Sequence, residues 1–138
     1  MLGSLARWLR MLGYDTLYFN YAEDNFLKEL AYKEKRMLLT KDRELAFSVK
    51  NSLLVEGNGV KEELSFVCTT LSLKRNPMPR CSVCNGELIV VNKKDIEPSV
   101  PPYVFLTQNE FLKCLNCKKV YWKGTHAERI ENFLKEIL

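Results

Sequence analysis

The chain has 138 residues, of which 46% are hydrophobic and 28% charged, the balance of an ordinary globular protein with room for one core, or for a domain plus a small module. Its strongly apolar runs, such as Leu88–Val91, fall far short of the ~20 residues a membrane-spanning helix needs, so no bilayer span is expected. Net charge is +4 and uneven: residues 1–73 hold ten Lys+Arg against ten Asp+Glu, residues 74–138 eleven against seven, which points the C-terminal half toward a polyanionic partner.

Residues 2–12 place Leu2, Leu5, Leu9 and Leu12 on one helical face, with Ala6 and Trp8 beside them in the core. Arg7 and Arg10 without an acid are also features of a mitochondrial targeting segment. The pattern stops at Gly13 and runs directly into a strand-like stretch, residues 15–19, so a first fold helix with a glycine C-cap is the preferred reading. After a turn at residues 20–22, Glu23 or Asp24 caps a helix with Leu27, Leu30 and Ala31 inward and a solvated face of Lys and Glu.

Residues 36–45 carry the first hint of chemistry. A short apolar run, too short for a helix, leads through Thr40 and Lys41 to Asp42 and then into a helical pattern, which reads as a buried strand delivering a carboxylate to its C-terminal end. Ligands of open α/β sheets bind at that end. Asp42 is equally an ordinary helix N-cap, and both readings stand at this point. A second strand at residues 52–55, the turn Gly57-Asn58-Gly59 and a helix carrying Leu64, Val67, Cys68 and Leu71 complete an alternation that predicts a parallel, helix-covered sheet. The linker 74–80, with two prolines and three cations, places the expected boundary between domains 1–76 and 77–138.

Cys81-x-x-Cys84 and Cys114-x-x-Cys117 dominate the second part. Two such knuckles close a tetrahedral zinc site with no open position, so the metal is structural. Disulfides are the competing reading, disfavoured because no secretory signal is visible, a cytoplasmic location is expected, and a loop that small gains little from a crosslink. Cys68 is left out as a helix-face thiol. Four thiolates with one zinc lower the net charge to about +2. Candidate phosphate contacts are Lys74, Arg75, Arg80, Lys93, Lys94, Lys113, Lys118, Lys119 and Lys123, with Tyr103, Phe105, Phe111, Tyr121 and Trp122 divided between the module's core and base stacking. Strands are expected at residues 87–92 and 103–107, and a final helix led by a Thr125/Glu128 capping box carries Ile130, Phe133, Leu134 and Ile137.

The stretches Met1-Leu2-Gly3-Ser4-Leu5-Ala6-Arg7-Trp8-Leu9-Arg10-Met11-Leu12-Gly13-Tyr14-Asp15, Leu38-Leu39-Thr40-Lys41-Asp42-Arg43-Glu44-Leu45, Arg80-Cys81-x-x-Cys84-Asn85 and Cys114-x-x-Cys117-Lys118-Lys119-Val120-Tyr121-Trp122-Lys123-Gly124-Thr125-His126 together resemble the PIN-like ribonuclease family named after the C-terminal domain of the Mut-seven exonuclease. The resemblance implies an α/β, PIN-like (Rossmann-like) fold with a C-terminal zinc ribbon and helix, acting on RNA with Mg²⁺ or Mn²⁺ held by carboxylates. It assigns Asp42 and Asp24 as metal ligands and Glu44 as a companion, and leaves Arg7 either reaching a phosphate or lying along the surface. His126, the one histidine, is expected in the first turn of the last helix. Family members begin with an apolar strand ending in an Asp two residues before the Met that matches Met1. That central strand is expected to be missing here, with the start assigned too far downstream. The function expected is a divalent-metal-dependent endoribonuclease; the alternatives are a non-catalytic RNA-binding protein and a zinc-ribbon protein-interaction module. No oligomeric state is implied.

Overall fold

The computed structural model describes residues 2–76, 78–123 and 127–138. Thr125 of the expected capping box and His126 lie outside them.

Helix α1 (Gly3–Met11) buries Leu5 and Leu9, and Leu12 just past its end is buried on the same stripe, as their spacing requires. It ends in a Schellman motif at Gly13, whose φ of +96° is a left-handed value that a side chain would resist. The Gly13 N–H donates to the Arg10 carbonyl (2.9 Å) and the Tyr14 N–H to that of Leu9 (3.0 Å). Residues of the 74–80 stretch also satisfy this helix end: Asn76 N–H donates to the Leu12 carbonyl (2.9 Å) and Arg80 N–H to that of Arg10 (2.8 Å).

Contacts divide the chain into two compact units, Met1–Ala6 with Leu17–Leu73, and Arg7–Thr16 with Lys74–Leu138. The division falls after Leu73, where the linker expected at residues 74–80 begins, and the stretch Arg7–Thr16 joins the cysteine-bearing unit.

The first unit alternates α2 (Asp24–Lys33), β1 (Leu38–Thr40), α3 (Arg43–Ser48), β2 (Ser52–Leu54) and α4 (Val60–Leu71). β1 and β2 pair in parallel, Leu38 opposite Ser52 and Thr40 opposite Leu54, and the Val55 N–H extends the ladder to the Thr40 carbonyl. Ala31, Leu45, Val55, Leu64, Val67 and Cys68 are buried here. The expected strand at residues 15–19 does not form. The backbone groups of Thr16 are engaged by side chains instead: its N–H donates to Asn85 Oδ1 (2.9 Å) and its carbonyl accepts from Arg10 Nε (2.8 Å).

In the second unit β3 (Leu88–Val91), β4 (Phe111–Cys114) and β5 (Val120–Tyr121) form an antiparallel sheet in that order. Two 3₁₀ turns, Lys93–Asp95 and Glu97–Ser99, lead to α5 (Pro102–Thr107). The strand expected at residues 103–107 is therefore a helix. Pro101 at the N-cap and Pro102 in the first turn preset it, and Val104 and Phe105 pack against Ile96, Val100, Phe111 and Val120. Helix α6 (Ala127–Ile137) buries Leu134 and stacks Phe133 on Trp8 with ring centroids 4.3 Å apart.

Candidate metal centre and nuclease site

The two cysteine pairs sit on matching knuckles. The antiparallel bridge Arg80↔Glu87 brackets the first, and the ladder pair Lys113↔Val120 brackets the second. In each, the first cysteine's carbonyl accepts from the residue after the second cysteine (Asn85 N–H 2.9 Å; Lys118 N–H 3.1 Å). The first cysteine's N–H in turn donates to a carbonyl five residues on, Gly86 or Lys119, at 2.9 Å in both. Asn85 and Lys118 both take left-handed φ, 70° and 68°, which turns each loop tightly enough to aim two sulfurs inward.

All four Sγ atoms lie within 4.8 Å of one another, with Cys84 and Cys114 at 3.4 Å and Cys81 and Cys117 at 3.7 Å. Thiolates around a tetrahedral zinc, each at about 2.3 Å, stand about 3.8 Å apart, so spacing and donor chemistry both fit that ion. Gly86 makes the approach possible: a Cβ there would meet Cys114 Sγ at 2.6 Å and Cys84 Sγ at 3.2 Å.

The thiols do not titrate alike. Burial works against ionisation of Cys84, but hydrogen bonds involving Asn116, the Gly86 backbone and the neighbouring thiols bring it down to about 6. A backbone hydrogen bond from Lys119 favours the Cys117 thiolate, yet desolvation and the other three thiols together push it up to about 11. Tyr121 lies with its hydroxyl 3.0 Å from Cys81 Sγ and 3.3 Å from Ser82 Oγ, and burial beside Cys81 pushes its phenol to about 12. It is thus a phenol that stays protonated and able to donate to sulfur.

The carboxylates behave differently. Asp42 follows β1 and caps α3, its Oδ1 accepting from Glu44 N–H (2.9 Å) and Leu45 N–H (3.3 Å). Glu23 takes the N-cap position of α2 without a side-chain bond, leaving Asp24 in the first turn. Asp24, Asp42 and Glu44 are all exposed. Among the described residues the four cysteines are the one gathered group of three or more His, Cys, Asp or Glu side chains, and the three acids do not form another.

The candidate RNA-contacting cations fall into two sets. Arg80 donates from Nε to the Asn85 carbonyl (3.0 Å), Lys118 Nζ to that of Leu115 (2.8 Å), and Arg75 pairs with Glu131 at 2.7 Å. Lys93 lies over Phe105 at 4.9 Å and Lys119 over Tyr121 at 5.2 Å. Arg7, Lys74, Lys94 and Lys123 are exposed and Lys113 is half-buried. Of the aromatics, Phe111 is core and Tyr103 is 70% exposed.

A profile of the family described as "Mut7-C RNAse domain" matches residues 1–134. The chain belongs to this family. Neither the curated proteins nor the solved structures yield a significant match. As a Mut7-C RNAse domain the chain combines a small parallel sheet flanked by helices with four cysteines placed to bind a metal ion. No helix among the described residues is long and apolar enough to cross a membrane.

Motif reading gave three residues of this Mut7-C domain no role beside the cysteines. Arg10 and Asn85 are buried and Tyr121 half-buried, all beside the cysteines. Arg10 is hidden among leucines of a helical stripe. For Asn85 a signal existed: Asn-Gly directly after a C-x-x-C pair is turn chemistry that accepts left-handed φ.

Proposed function

We propose that the chain is a PIN-like, divalent-metal-dependent ribonuclease domain that acts on RNA, with zinc held structurally by Cys81, Cys84, Cys114 and Cys117. The family match over residues 1–134 carries this reading. A carboxylate at the C-terminal end of a parallel strand supports it further, since that edge is where α/β sheets take ligands.

In this reading Asp42 and Asp24 are hard oxygen ligands for Mg²⁺ or Mn²⁺, with Glu44 as a companion. The bound ion would activate a water and stabilise charge on the phosphate. Asp42 Oδ1 is committed to the α3 cap, which pins the side chain, and Oδ2 is the oxygen left for the metal. Exposed Arg7, Lys74, Lys94 and Lys123 supply phosphate contacts, and the ribbon holds the strand.

The test is cleavage of single-stranded and structured RNA with and without added Mn²⁺, in the wild type and Asp42→Asn. Mn²⁺-dependent cleavage reduced at least about tenfold by the substitution is expected, and undiminished cleavage overturns the role of Asp42. A non-catalytic RNA-binding protein is the second reading, supported by the three acids not being gathered into one group. Salt-sensitive RNA binding with no Mn²⁺-dependent cleavage would decide for it.

A further inference from the structure

The segment Arg7–Thr16 contains no cysteine, yet its side chains and backbone surround the first knuckle. The Arg10 guanidinium, 7% exposed, donates from one terminal nitrogen to the Ser82 carbonyl (3.0 Å) and the Val83 carbonyl (3.4 Å), the two residues between Cys81 and Cys84. Its Nε donates to the Thr16 carbonyl (2.8 Å). Asn85, 6% exposed, closes the other side: Oδ1 accepts from the Thr16 N–H (2.9 Å) and Nδ2 donates to Asp15 Oδ1 (2.7 Å). The Arg80 N–H, adjacent to Cys81, donates to the Arg10 carbonyl.

A buried guanidinium is costly unless something nearby compensates its charge. The three carbonyls take up Nε and one terminal nitrogen but carry no net charge. A zinc bound by four thiolates carries two negative charges, and Arg10 stands beside two of its ligands. We propose that Arg10 and Asn85 form the outer shell of the metal centre, so that metal binding and folding of Arg7–Thr16 are a single linked equilibrium. Arg10 offsets the tetrathiolate charge and fixes the loop between the first two ligands; Asn85 ties the turn after Cys84 to Asp15 and Thr16. Linkage then runs both ways: metal orders the C-terminal half of α1, and that half raises metal affinity. The inference rests on metal occupying the four-cysteine site.

The test is a chelator-competition titration with Zn²⁺ and a spectroscopic titration with Co²⁺ on the full chain, its Arg10→Met and Asn85→Gly variants, and Arg129→Met as an exposed cation on α6. Hydrogen exchange of the wild type follows with and without chelator. Loss of metal affinity of about tenfold or more is expected in Arg10→Met and Asn85→Gly, with Arg129→Met within twofold of wild type. The thiolate-to-Co²⁺ band should persist in the variants at saturating metal, which separates weakened binding from failure to fold. Chelation of the wild type should remove protection at Gly13, Tyr14 and Thr16 together with the knuckles. Equal affinities across all variants, or α1 amides that stay protected after chelation, would overturn the linkage. A wild type that binds neither ion would instead remove the metal reading on which it rests.

Discussion

The Tyr121 hydroxyl lies 3.0 Å from the Sγ of Cys81, joining β5 to a cysteine of the first knuckle. A donor aimed at a thiolate draws off part of its charge and favours the ionised form that a metal requires. Tyr121→Phe keeps the ring under Lys119 and removes only the donor. A loss of about 1.5 kcal/mol in thermal or chemical unfolding of the metal-loaded protein is expected, in the range of hydrogen bonds to charged groups. An unchanged midpoint would show the contact to be energetically silent.

Gly86 has no room for a methyl group beside Cys114 Sγ and Cys84 Sγ. Gly86→Ala should spread the sulfurs and weaken metal binding more than it disturbs the parallel-sheet unit. Metal content after purification under reducing conditions, set beside far-ultraviolet circular dichroism, measures both. Full metal occupancy in the variant would contradict the close approach.

Asp42 has two roles that substitution separates. Asn caps helices as well as Asp does, so Asp42→Asn should leave stability near that of wild type, whereas Asp42→Ala should cost about 1 kcal/mol. If the carboxylate also holds Mg²⁺ or Mn²⁺, both variants lose Mn²⁺-dependent RNA cleavage to a similar degree. Denaturant midpoints paired with cleavage rates give the two readings independently.

Lys41 and Glu63 form an ion pair in which the carboxylate is buried, and Lys41 also donates to the Gly57 carbonyl at 2.8 Å. Glu63→Met should destabilise the chain by about 2 kcal/mol, less than a fully buried pair would show because Lys41 keeps a quarter of its surface in water. Adding Lys41→Met should recover part of the loss, since the stranded charge goes with it. A double variant no more stable than Glu63→Met alone would argue against that account.

Local pattern made much of the molecule legible. The leucine spacing and Gly13 specified α1 and its end, and the apolar run into Asp42 specified β1 followed by a capped α3, because each depends on a period or a cap a few residues long. The spacing of the four cysteines specified their gathering, because two knuckles on antiparallel pairs have few other arrangements. At residues 15–19 and 103–107 strand propensity misled. Side chains from the first knuckle captured the backbone of Thr16, and two prolines with an apolar core set α5.

What the sequence determined by itself was therefore the family, the alternation of the first unit from α2 to α4, and the four cysteines that gather. Only the tertiary structure decided what surrounds those cysteines. Arg10 meets Ser82 and Asn85 meets Thr16 across about seventy residues of chain, and nothing in local propensity or charge spacing encodes such a meeting. Their positions follow from where α1 ends and where the knuckle turns. Once both are buried, unsatisfied donors and charge leave each side chain little choice of partner.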